Sequence, residues 1–119
     1  MNIEDFREFC LSFPMVTESF PFDEKVLVFK VANKMFALSD VEEYEYINLK
    51  CDPERAIMLR EEYEEIKPGY HMHKKSWNSV YVTGSLDDDF VRELITHSYD
   101  MIVSGMPKKT QAEINQLRN

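Results

Sequence analysis

Glycine and cysteine are both scarce in this chain, with three and two copies in 119 residues. Gly69, Gly84 and Gly105 stand far apart, which excludes the phosphate-cradling loops of P-loop or dinucleotide-binding proteins, because those need glycines clustered at the start of a helix. Cys10 and Cys51 do not form the close pairs that zinc knuckles and redox motifs use, and they read as two free, buried thiols. Long hydrophobic runs are also absent. The apolar stretch at Val26–Phe29 is typical, against the roughly 20 residues that span a bilayer, so no membrane segment is expected. No secretory leader is read, and the expected compartment is the cytoplasm. Positive charge is short, with 14 basic against 22 acidic side chains and a net charge of -8. A generally basic surface is thereby excluded, and any contact with nucleic acid has to be local. No G-x-S-x-G elbow occurs, and the many carboxylates sit in polar stretches where nothing apolar raises a pKa. No catalytic residue, metal or cofactor is expected from these features, and the chain is not read as an enzyme.

What the sequence does have is apolar and aromatic mass, 44% and 13% of its residues, enough to bury roughly two thirds of the unfolded surface in one domain over residues 1–119. Ile3, Phe6, Cys10 and Phe13 recur at steps of three and four, predicting an amphipathic helix capped by Asn2 and stopped near Ser12 or Phe13 by Pro14. A turn-like stretch with Pro21 and Asp23 follows. Lys25–Val31 alternates as a strand, Asn33 and Lys34 supply a turn, and Met35–Ser39 completes a hairpin. Tyr46–Cys51 alternates again. Asp52 then serves as a helix cap with Pro53 at the first helical position, and the helix frays before Glu65 because the acids at its end oppose the helix dipole. Lys67, Pro68 and Gly69 are breakers. Ser76–Thr83 predicts a strand, Leu86–Ser104 a long helix ended by Gly105, and Lys108–Leu117 a last helix. Clustered strands joined by short turns exclude a doubly wound βαβ array. The class is α+β, an antiparallel sheet with helices packed on one face.

The window with the most chemistry is Lys67–Val82, KPGYHMHKKSWNSVYV. Adjacent lysines attract phosphates, an exposed indole stacks on an unpaired base, and asparagine pairs with a base edge. Beside this stands the structural reading, in which Trp77 starts a strand and fills a core while the lysines are ordinary solvated surface.

This window, with CLSFPMVTESFPFD at Cys10–Asp23, VFKVANKMFAL at Val28–Leu38 and SYDMIVSGMPKK at Ser98–Lys109, resembles the MmcQ/YjbR family of small bacterial proteins over essentially the whole chain. The order and spacing of four blocks carry the resemblance, and the KKxWN core is its sharpest part. It implies a frataxin-like fold, the two-layer YjbR/CyaY-like sandwich, and a double-wing DNA-binding role. The positions it marks as nucleic-acid contacts are Tyr70, His71, Lys74, Lys75, Trp77 and Asn78, with Lys108 and Lys109 as further phosphate contacts. Each has a structural alternative: Tyr70 and Trp77 as packing aromatics, Lys108 and Lys109 as the solvated start of a helix.

Charge is unevenly spread, since residues 40–65 hold ten acids and three bases whereas residues 66–119 hold six and seven. DNA would approach the C-terminal part only. The competing reading is a protein-interaction domain that meets a basic protein through the acidic segment Asp40–Glu65 or through the aromatic loop. Weak metal binding by His71 and His73 is a third reading, and no dedicated metal site is expected because no third ligand is visible. A monomer is expected.

Overall fold

The computed structural model describes residues 1–118. Its elements, in chain order, are α1 (Ile3–Leu11), β1 (Val16–Ser19), β2 (Val26–Val31), β3 (Lys34–Asp40), β4 (Tyr46–Lys50), α2 (Pro53–Glu62), β5 (Ile66–Pro68), β6 (Trp77–Tyr81), α3 (Asp88–Ser104) and α4 (Lys108–Arg118). The six strands form one antiparallel sheet in the order β1-β2-β3-β4-β6-β5. The α+β class with an antiparallel sheet is thus the architecture found.

Local chemistry accounts for most element ends. The Asn2 side chain accepts from Asp5 N at 2.8 Å, and Asp52 accepts from Arg55 N at 3.0 Å with Pro53 just inside the helix. The β2–β3 turn consists of Ala32 and Asn33, at φ of 46° and 71°, one residue earlier than the sequence suggests. Both left-handed residues match the twist of a two-residue hairpin, which is why Val31 pairs with Lys34. Two strands were not foreseen. β1 lies in the stretch after Pro14, and β5 includes Lys67 and Pro68, read from sequence as breakers. Both are short edge strands that exist through pairing with β2 and β6, and proline is tolerated there because an edge leaves one row of amides unpaired.

One face of the sheet carries the helices. Phe29, Ile47, Leu49 and Val80 from the strands share a continuous core with Phe6 of α1, Ala56 and Leu59 of α2, Leu94, Ile95 and Tyr99 of α3, and Ile114 of α4. Ser98 pins α3 to two central strands, accepting from Lys50 N at 2.8 Å and donating to Phe36 O. Cys10 and Cys51 are free and buried in this layer, and burial pushes the Cys51 thiol up to about 11. The other face carries no helix, only a small cluster of Val28, Leu38 and Trp77 with Val26, Met35 and Met72 packed against it. Strand alternation puts Tyr46, Asn48 and Ser79 on this open face as well. No helix is long and apolar enough to cross a membrane among the described residues.

Candidate functional site

The open face is partly roofed by the segment between β5 and β6. This roof is built from the backbone outward. Gly69 N donates to Trp77 O at 2.8 Å, and a Cβ on Gly69 would stand 2.9 Å from that of Trp77, so only glycine lets the two strands approach here. Next to it, two buried polar side chains from central strands hold the Tyr70 peptide from both ends. Ser79 Oγ accepts from Tyr70 N at 2.9 Å, Asn48 Nδ2 donates to Tyr70 O at 3.2 Å, and Ser79 Oγ donates to Asn48 Oδ1. His71 follows at φ 61°, turning the chain back across the sheet. The far end of the roof is tied down by Arg60 of α2, whose guanidinium donates to the carbonyls of Lys74 and Trp77.

Between roof and sheet lies a groove of about 710 Å³, lined by Phe22, Val26, Met35, Leu38, Ser39, Asp40, Glu43, Tyr46, Asn48, Tyr70, His71, Met72, His73 and Trp77. Its volume is that of a small-molecule or side-chain site, and its walls are mainly apolar and aromatic. The Tyr46 and Tyr70 rings meet edge to face at 6.2 Å, and Tyr70 lies against the His71 ring at 4.1 Å. Burial first, then the neighbouring Tyr81, Tyr70, Asp40 and Glu43, raises the Tyr46 phenol above its usual pKa. Asp40 and Glu43 are the carboxylates of the lining, and neither takes part in an ion pair among the described residues.

The residues marked from sequence divide into four places. Tyr70, His71 and Trp77 share the groove. Trp77 is only 7% exposed, packed on Val28 and Leu38 with Lys50 Nζ 5.8 Å from its ring, so it is a packed indole rather than an open stacking platform. Tyr70 is the exposed aromatic, at 57%. Asn78 is 2% exposed and its Oδ1 accepts from Arg60 Nε at 2.7 Å on the helix-bearing side, which leaves it no free edge for a base. Lys74 and Lys75 line a separate recess of about 330 Å³ with Pro53, Glu54, Ile57 and Arg60, and Lys74 Nζ donates to Gly69 O at 3.0 Å. Lys108 and Lys109 are exposed in the first turn of α4, whose Ile114 joins the core on the helix side. His73 lines the groove beside His71, yet no group of three His, Cys, Asp or Glu side chains suited to a metal is present among the described residues.

Sequence reasoning did not name Phe22, Met35, Tyr46, Asn48 or Ser79 individually as site residues, and it held Asp40 and Glu43 only as part of the acidic segment Asp40–Glu65 offered to a basic partner. A signal for some of them exists in β2, where Val26 and Val28 on one face and Leu27, Phe29 and Val31 on the other are apolar, more than a sheet with one solvated side requires.

Comparison with known proteins finds relatives that the chain matches over most of their length. The family model described as YjbR matches residues 11–101. The uncharacterised protein YbdF of Escherichia coli O157:H7 is 37% identical over 112 residues, 93% of this chain and 92% of its own. The uncharacterised protein YjbR of Escherichia coli strain K12 is 31% identical over 118 residues, 98% of this chain and all of its own, 100%. A Deinococcus radiodurans protein with the DUF419 family domain, solved by crystallography, superposes with a TM-score of 0.89 at 36% identity, covering 96% of this chain and 88% of that one.

Proposed function

The chain belongs to the YjbR family, and on that premise we propose that it is a non-enzymatic binding module whose working surface is the aromatic groove on the open sheet face, taking an extended, basic segment of a partner protein. The observation that carries this reading is the charge of the groove: aromatic and apolar walls, with Asp40 and Glu43 as its formal charges and Lys74 and Lys75 outside it. A phosphate entering there would meet carboxylates, whereas a basic segment meets complementary charge on a body of net charge -8. Asn48 and the Ser79 beside it are already spent on the Tyr70 peptide, and Ser39 donates to Tyr46 O, which leaves the ring nitrogens of the lining, those of His71 and His73 among them, as its side-chain N–H donors.

A second reading keeps DNA as the partner. It is favoured by the recess along α2 where Lys74, Lys75 and Arg60 gather with Glu54, and there the lysines alone would touch phosphate, with no base stacked on Trp77.

The experiment that separates the two is a pair of titrations followed by backbone amide shifts, one with short single- and double-stranded DNA, the other with matched peptides alternating leucine with lysine or with glutamate. The groove reading expects the lysine peptide to shift Tyr46, Tyr70, His71 and Met72, and DNA to leave them unmoved at tens of micromolar in low salt. DNA shifts at Lys74 and Lys75, with no peptide shift in the groove, would replace the first reading by the second.

A further inference from the structure

Four cation–π contacts exist among the described residues: Lys50 over Trp77, Lys67 over Tyr81, and Arg118 over both Phe13 and Tyr99. On the open face, then, Trp77 and Tyr81 already have the chain's own lysines above them. Tyr46 and Tyr70 do not, although their rings stand at 85° to one another and form two walls of a corner. Asp40 and Glu43 line the same groove without a cationic partner, because Lys25, the near cation on this turn, pairs with Glu42 at 3.7 Å. Two tyrosine rings and two carboxylates near enough to act on the Tyr46 phenol, lining one groove with no lysine or arginine among its lining residues, are the parts of a cation-binding box.

The box is also held in place before anything binds. Asp40 Oδ1 accepts from Glu42 N at 2.8 Å and Glu43 N at 3.1 Å, which orients that carboxylate and leaves its second oxygen unengaged. Tyr70 is fixed at its peptide by Asn48 and Ser79, and its ring lies against those of Tyr46 and His71. Fixed partners lower the ordering cost of association.

We propose that the Tyr46–Tyr70 corner with Asp40 and Glu43 is a subsite for one arginine side chain of the partner's extended segment. This rests on the groove being the binding surface and goes further by naming what fills it. Arginine fits better than lysine for two physical reasons. Its planar guanidinium is weakly hydrated and stacks on an aromatic face, and its fork of donors can reach a carboxylate while the face remains stacked. The apolar stretch of its side chain then lies along the wall formed by Met35 and Leu38.

The test uses three labelled peptides that are identical except for one central position, arginine, lysine or citrulline, titrated into the full chain at pH 8 with amide shifts recorded alongside affinity. The arginine peptide is expected to bind tightest, lysine next, and neutral citrulline about tenfold or more weaker than arginine. Glu43→Gln should weaken the arginine peptide about two- to fivefold and leave the citrulline peptide unchanged. Tyr70→Ala should weaken the arginine peptide about three- to thirtyfold; both side chains are exposed, so both variants should keep the wild-type melting temperature. Equal binding of all three peptides in the groove would overturn the arginine subsite while leaving the groove as the binding surface. Absence of any groove shift with all three would remove both. Free arginine amide binding as tightly as the arginine peptide would overturn the assignment to a partner's chain, since the site would then serve a small molecule.

Discussion

Ser79 and Asn48 face each other across β6 and β4, and their shared hydrogen bond is the floor on which the Tyr70 peptide rests. Both side chains are buried, Asn48 between Ile47 and Leu49 and Ser79 between Asn78 and Val80, and every polar atom of the pair has a partner. Ser79→Ala removes an acceptor from Tyr70 N and a donor from Asn48 at once. The expected loss is about 1 to 3 kcal/mol in urea unfolding, with faster amide exchange confined to residues 69–76. A stability loss spread evenly over the sheet, with the roof still protected, would show that the pair does not hold the loop.

Gly69 is the second support of the roof. Alanine there would bring its Cβ to 2.9 Å from Trp77 Cβ and 3.0 Å from Trp77 O, and backbone cannot move aside as a flexible side chain can. Gly69→Ala is expected to destabilise by about 1 to 3 kcal/mol and to alter the environment of the indole, read as a shift in Trp77 fluorescence. The same substitution at Gly105, where the nearest atom is 3.7 Å away, should cost clearly less.

Trp77 belongs to a small satellite cluster rather than to the main core. Trp77→Ala should therefore cost about 3 kcal/mol, the lower end for a buried aromatic. A near-zero cost in urea unfolding would return the indole to the role of a free stacking surface.

His97 makes the fold sensitive to mild acid. Its Nε2 accepts from Asp52 N at 3.2 Å, at the cap of α2, and burial followed by the nearby Arg55 lowers its pKa below the ordinary imidazole value. The neutral form is the one that accepts. As pH falls below about 6.5 the unfolded chain takes up a proton that the fold resists, so stability is full above that value and declines through the lower folded pKa. Comparing urea midpoints at pH 7.5 and 5.5, His97→Gln should flatten the decline. A slope identical to wild type would assign the decline to other groups.

Much of the site was illegible in sequence for a physical reason that individual residues make plain. The KKSWN run places Lys74, Lys75, Trp77 and Asn78 side by side in the chain, but a strand sends successive side chains to opposite faces. Trp77 therefore turns to the open face, and Asn78 to Arg60 beneath it. The two lysines precede the strand and line the recess beside α2. Closeness in sequence became separation in space. The reverse holds for Phe22, Met35, Tyr46 and Tyr70, which are distant in the chain and meet only across the sheet and its roof.

By itself the sequence determined what depends on neighbours within a turn or two: the helices through their apolar spacing, their caps at Asn2 and Asp52, the hairpin of β2 and β3, and hence an antiparallel α+β fold. Only the tertiary structure decided which face of each strand the helices cover, that Val16–Ser19 and Ile66–Pro68 are strands at all, and that an aromatic corner faces two unpaired carboxylates. Helical periodicity is a local property of one segment, whereas a sheet edge, a covered face and a groove come into being through partners far along the chain.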